Sequence, residues 1–133
     1  MAGIARRIAE AEAALATLDE AALRASHSVI ERDGAILRLV YTFEAVWKAC
    51  QHLLTEREGV EIGSPNGTIR AARRLGLLSD NDADAAMRIA RDRNLAVHMY
   101  RGQIGEEIRE RLVDHAAVLR RWVEALKARD TGP

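Results

Sequence analysis

The stretch Ala35-Ile36-Leu37-Arg38-Leu39-Val40-Tyr41-Thr42-Phe43-Glu44-Ala45-Val46-Trp47-Lys48-Ala49-Cys50-Gln51-His52-Leu53-Leu54 decides the fold. Ile36, Val40, Phe43, Trp47, Cys50 and Leu54 follow one another at alternating steps of four and three. At about 3.6 residues per turn, such positions form one apolar stripe along a helix. A stripe this long is the seam of a helical bundle.

The same spacing recurs on both sides. Ile4, Ile8, Ala11, Leu15 and Leu18 predict an amphipathic helix over residues 2–18. Asp19 reads as the start of a weaker helix with Leu23 and Ile30 on one face, and Asp33-Gly34 as a break. Beyond the central seam, residues 59–63 form a glycine-containing loop. Ser64-Pro65 reads as an N-cap with proline at the first helical position, and Gly76 as the matching C-terminal glycine. Ser79-Asp80-Asn81-Asp82 caps a helix whose seam would be Ala83, Met87, Ala90, Asn94 and Val97, with Ile89, Ala96 and Tyr100 on the other side. Arg101-Gly102 breaks it. Ile104, Ile108, Leu112, His115, Leu119, Trp122 and Leu126 line the last helix. The chain therefore reads as all-α, a bundle of about five helices in one domain over residues 1–128. Residues 35–57 and 103–128 would be its longest members, and residues 129–133 a frayed tail.

Composition agrees. Of 133 residues, 48% are hydrophobic and 30% charged, and the only prolines are Pro65 and Pro133, so a packed, mostly helical chain is expected. Twenty basic and twenty acidic residues cancel, which argues against a surface that coats nucleic acid broadly but leaves room for a local basic cleft. The single Cys50 cannot form an internal disulfide and fits a reducing cytoplasm. No secretory apolar run follows Met1, and nothing approaches the roughly 18 apolar residues of a membrane span.

The chemistry concentrates in Arg93-Asn94-Leu95-Ala96-Val97-His98-Met99-Tyr100. On one helix, Arg93 and Tyr100 would lie about 20° apart and Asn94 and His98 about 40° apart. A guanidinium clamps phosphate oxygens, and an imidazole moves protons near neutral pH. Arg70, Arg73 and Arg74 share one side of the helix after Pro65 and could extend a positive field for RNA, although solvated surface arginines are the commoner case. Metal chemistry lacks support: the four histidines are scattered, none pairs at i,i+4, and no Cys pair exists. No Gly-rich phosphate loop or other cofactor motif is visible. Cys50 and His115 sit on seams and read as packed core, and Glu44 with Lys48 reads as a helix-stabilising pair.

Three segments carry a family resemblance. They are Tyr41-Thr42-Phe43-Glu44-Ala45-Val46-Trp47-Lys48, the block Ser64-Pro65…Ile69-Arg70…Gly76-Leu77-Leu78, and Asp92 through Tyr100. In order and spacing the chain resembles the nucleotidyltransferase substrate-binding proteins of the HEPN superfamily, over about residues 34–125. The last segment matches the Arg-x4-His-x-Tyr motif of many HEPN ribonucleases. The resemblance implies a dimeric helical bundle paired with a separately encoded minimal nucleotidyltransferase. In several such pairs the HEPN chain is an RNA-cleaving toxin and the transferase its antitoxin. In some, the transferase silences the toxin by attaching AMP to the motif tyrosine, here Tyr100. Where small hydroxyl residues are common in the family, this chain has Ala96, Val97 and Met99.

On that reading His98, Arg93, Asn94 and Tyr100 are the catalytic candidates. Metal-free RNA cleavage needs a general base for the 2′-hydroxyl and a general acid for the 5′-oxygen. Each chain supplies one motif histidine, so a homodimer with His98 near the two-fold axis would supply both. The competing reading is a non-catalytic partner or substrate-binding subunit of the transferase. A third is a structural dimer module without a ligand.

Overall fold

The structure is a computed structural model, and it describes residues 2–24 and 27–132. Six helices follow in order: α1 (Ala2–Ala22), α2 (Val29–Glu58), α3 (Pro65–Arg74), α4 (Asp80–His98), α5 (Gly102–Glu110) and α6 (Leu112–Thr131). Among the described residues there is no β-strand. The long α2 packs against each of the other five helices, while α1 packs mainly on α2 and α6. Three of the predicted seams form the core, whereas Asn94 and Val97 of the seam expected on α4 are exposed. Ile4, Ile8, Ala11, Leu15 and Leu18 are buried, as are Ile36, Phe43, Trp47, Cys50 and Leu54, and Leu112, Leu119, Trp122 and Leu126. Truncating a fully buried aromatic such as Phe43 or Trp122 to alanine would cost about 3–5 kcal/mol.

Five boundaries differ from the sequence reading. Asp19 starts no second helix. It continues α1 and is ion-paired with Arg120 of α6, while Leu23 and Ile30, the expected apolar face, are strongly exposed. Residues 25 and 26 of that expected helix lie outside the described residues. Asp33-Gly34 is no break either, because α2 begins at Val29 on a complete capping box. Ser28 Oγ accepts from the Glu31 amide at 3.1 Å, and Glu31 Oε1 accepts from the Ser28 amide at 2.9 Å. Two orphan amides are thus satisfied, and one exposed glycine does not outweigh that.

Residues 103–128 are two helices rather than one. Arg111 separates α5 from α6, and its φ of −101° and ψ of 0° lie close enough to helical values that the seam keeps its register across the joint. Finally, α4 ends at His98, so Tyr100 lies in the link to α5. At the C-terminus α6 continues through Thr131. Arg129 donates to Leu75 O at 2.6 Å and pairs with Glu58, and Asp130 pairs with Arg57 at 2.7 Å.

The other caps are where the sequence puts them. α2 stops at Glu58 with Gly59 at φ 67°, in the left-handed region. Ser64 caps α3 ahead of Pro65, and Ser79 caps α4 by accepting from the Asp82 amide. These two caps fix where α3 and α4 begin, and α3 and α4 carry the candidate site.

Candidate functional site

The rotation of α4 is set by a buried acid. Its buried face is Ala83, Ala86, Ile89, Ala90 and Asp92. Asp92 accepts from Arg111 Nε and Nη2, each at 2.8 Å, and from His115 Nε2 at 2.7 Å. Burial works against its charge, but these hydrogen bonds outweigh burial and hold its carboxyl at about 2. His115 is thus a packed residue, as its seam position suggests, with the added task of anchoring Asp92. Clamping Asp92 inward turns the following residues to defined directions at about 100° per residue.

Arg93 is turned toward α2. Its Nε lies 3.0 Å from Glu44 Oε1, and its guanidinium carbon is 5.7 Å from the centre of the Phe43 ring. The Nε–H makes no directed hydrogen bond, so the contact with Glu44 is an ion pair and not a fork. Glu44 also accepts from Trp47 Nε1 at 3.3 Å and stands 3.6 Å from Lys48 Nζ. The sequence reading assigned Glu44 to Lys48 alone. Its reach to Arg93 joins two sequence segments that lie about fifty residues apart, and no signal within either segment gives that contact.

Asn94 is not on the core seam as expected. It is exposed, because the Asp92 clamp turns the buried face away from it, and its Oδ1 accepts from Arg93 Nη1 at 2.9 Å. His98 is exposed at the last position of α4. Both line a groove of about 440 Å³ with Asn66 of α3, Arg91, and an apolar floor that includes Met87, Leu95 and Met99. No carboxylate lines this groove. In a chain with as many acids as bases, an acid-free groove holding Arg91 and His98 favours an anionic ligand.

Tyr100 lies elsewhere. With Asp33, Leu37, Val40 and Val97 it lines a second, mainly apolar groove of about 410 Å³ between α2 and the end of α4. Its hydroxyl donates to Asp33, and the Arg32 guanidinium carbon stands 6.0 Å from its ring centre. Because Tyr100 is outside the helix, the wheel angle that set it beside Arg93 does not apply. Among the described residues no hydrogen bond or ion pair links Arg93, His98 and Tyr100 to one another. One chain displays them at three neighbouring places around the last two turns of α4.

Arg70, Arg73 and Arg74 lie on the outer face of α3, whose first turn supplies Asn66 to the histidine groove. Arg73 pairs with Asp80 at 3.3 Å. Cys50 is buried, and burial pushes its thiol up to about 12, so it is no nucleophile at neutral pH. Among the described residues no cluster of His, Cys, Asp or Glu could hold a metal ion, and no helix is long and apolar enough to cross a membrane.

Comparison with solved structures places this architecture. A protein of Thermus thermophilus is 47% identical, with 87% of this chain and 98% of that chain covered and a TM-score of 0.83. A chain from a structure of a mutant toxin-antitoxin MntA-HpeT shares the fold at 19% identity, with 94% and 97% covered and a TM-score of 0.78. A chain from a toxin-antitoxin structure with AMP-PNP does so at 14% identity, with 92% and 96% covered and a TM-score of 0.70. No curated protein sequence matches. Residues 6–128 match the family described as nucleotidyltransferase substrate binding protein like, and the chain belongs to that family.

Proposed function

We propose that this chain is a HEPN-type toxin that cleaves RNA without a metal as a homodimer, and that a minimal nucleotidyltransferase is its antitoxin partner. The observation that carries this reading is the placement of His98. It stands unpaired at the mouth of an acid-free groove suited to a phosphodiester, next to exposed apolar residues that a second copy could cover. Val97 and Met99 are 54% and 57% exposed, and Leu37 across the second groove is 61% exposed. The fold likeness to chains from toxin-antitoxin structures is consistent with a paired transferase.

The chemistry needs the dimer. One His98 takes the 2′-hydroxyl proton while its counterpart protonates the departing 5′-oxygen. Arg93, held at the edge of the site by Glu44, offsets the charge of the pentacovalent phosphorus. Asn94, through its bond to Arg93, orients that guanidinium. Arg70 and Arg74, with Arg73 when it leaves Asp80, guide the RNA backbone along α3. Tyr100 is the modification site for the partner. A cytoplasmic location belongs to this reading, because RNA and the partner transferase would have to meet the chain there.

A second reading has its own support. Arg93 is already engaged by Glu44 and Phe43, as a structural arginine would be. The chain would then be a non-catalytic partner or substrate-binding subunit of the transferase. One experiment tests the shared site that the first reading needs. Val97→Asp and Leu37→Asp should break the dimer in light scattering and abolish cleavage together if the site is shared. A monomeric wild type at micromolar concentration, or monomeric variants that still cleave, would refute the shared site.

A further inference from the structure

Tyr100, outside the helix, is held to the bundle by several independent contacts. Its hydroxyl donates to Asp33 of α2, and its ring lies beside the guanidinium of Arg32, which is itself buried. Arg32 in turn bonds Asp33 at 3.1 Å, Gly102 O at 3.5 Å and Glu106 at 3.4 Å, so that the start of α2 and the start of α5 are tied together around the phenol. Space for this exists because residue 105 has no side chain. A Cβ there would lie 2.6 Å from Tyr100 Oη and 3.0 Å from Arg32 Nε. Asp33 and Gly34 read in sequence as a break. In the structure they sit in the helix, and Asp33 receives the tyrosine.

We propose that Tyr100 cannot be docked and modified at once, so that the Asp33–Arg32–Gly105 niche keeps the end of α4 ordered until a nucleotidyl-transferring partner captures the tyrosine. Transfer would form a bond from Oη to the α-phosphorus of a nucleoside triphosphate. It would break the bond from that phosphorus to the bridging oxygen, release pyrophosphate and pass the phenol proton to a base of the transferring enzyme. The product has no hydroxyl proton to give Asp33. It also carries a phosphodiester on the oxygen that packs so closely on Gly105 that a Cβ there would lie 2.6 Å from it. The modified side chain therefore stays out of the niche, and residues 99–101, which link His98 to α5, lose their anchor. Asp33, Arg32 and Gly105 act as positioning residues for a tyrosine two residues along the chain from His98. The charge states agree: burial and the neighbouring carboxylate both raise the phenol, and the phenol hydroxyl lowers Asp33, so the docked pair is a neutral phenol on a carboxylate. Docked, Tyr100 points its proton at Asp33 and its oxygen at Gly105, so the oxygen must leave the niche before a partner can reach it.

The physiological consequence rests on the ribonuclease reading, but the test does not. The chain has two tyrosines, Tyr41 and Tyr100, which are 39% and 37% exposed. Tyr41 shares a neutral hydrogen bond with Thr17, whereas Tyr100 donates to a carboxylate. N-acetylimidazole acylates phenol oxygens, and peptide mass spectrometry reads each site. Tyr41 should react faster than Tyr100 in the wild type, despite their similar exposure. Asp33→Ala and Gly105→Ala should raise the Tyr100 rate about tenfold, the factor that loss of one charge-assisted hydrogen bond represents, and leave Tyr41 unchanged. Asp33→Asn, which keeps an acceptor, should fall between. Should Gly105→Ala fail to fold, Asp33→Ala still decides, since the Asp33 side chain is 44% exposed. Amide exchange over Leu95–Met99 should rise in these variants and in wild-type protein acylated at Tyr100. A Tyr100 rate equal to that of Tyr41 and unmoved by Asp33→Ala would overturn the docking. Unchanged exchange over Leu95–Met99 in the acylated protein would overturn its role in ordering the end of α4.

Discussion

Glu44 of α2 and Arg93 of α4 meet as an ion pair at 3.0 Å, over the face of Phe43 and beside Trp47. The contact joins the two most informative segments of the chain. It also decides how much of the Arg93 charge is available to a phosphate.

A double-mutant cycle measures that pair. Glu44→Gln and Arg93→Gln should be non-additive in urea unfolding, with a coupling of about 0.5–1 kcal/mol for a pair that remains partly solvated. Glu44→Gln alone should tighten RNA binding, because it leaves Arg93 free. Strict additivity would mean the two charges ignore each other.

Acid should unfold the bundle through Asp92. Its carboxyl is held at about 2, against 3.8 for an ordinary one, by His115 and Arg111. A group lowered on folding contributes stability above its unfolded value and loses it as pH falls toward its folded value. The contribution, on the order of 2–3 kcal/mol, should be complete above about pH 5 and should drain away between about pH 4 and pH 2. Asp92→Asn should flatten the stability profile in that window while lowering stability at neutral pH. An unchanged acid limb, followed by circular dichroism, would show that the clamp is not formed.

Gly34→Ala should stabilise the chain by about 0.5–1 kcal/mol. The position is helical and has no positive φ, and a Cβ there meets nothing within 4 Å. A fall in thermal midpoint would indicate that the start of α2 is not helical.

The helical class, the long seam and the caps at Gly59, Ser64 and Ser79 were legible in the sequence because apolar spacing and caps are local signals. The Ile36–Leu54 stripe, Ser64-Pro65, Gly59 and Ser79 all do what their local chemistry suggests. Even the start of α2 was legible, since Ser28-Val29-Ile30-Glu31 spells a capping box. Asp33-Gly34 obscured it by looking like a turn. The site was less legible. Asn94 fits the four-three spacing, but the Asp92 clamp, made by residues about twenty positions away, turns it to solvent. Tyr100 continues the periodic pattern too, but a niche made by residues 32, 33 and 105 takes it out of the helix. Partners so distant in sequence leave no periodic trace.

The arginines of α3 predict a salt response. Arg70→Gln with Arg74→Gln should weaken RNA binding uniformly across sequences and flatten its dependence on salt, each lost phosphate contact removing about 0.7 from the logarithmic slope for single strands. Arg73→Gln should have a smaller effect, because its charge is shared with Asp80. Unchanged binding would make these residues ordinary surface.

Cleavage by the wild-type chain alone is the decisive measurement. The purified protein, free of any transferase and in EDTA, is incubated with varied RNAs, and the product ends are mapped. Attack by the 2′-hydroxyl predicts 2′,3′-cyclic phosphate and 5′-hydroxyl ends, lost in His98→Ala by about 10²–10⁴-fold while circular dichroism shows an intact bundle. RNA left whole at high protein concentration, or equal cleavage by His98→Ala, would contradict the ribonuclease and leave a partner subunit of the transferase.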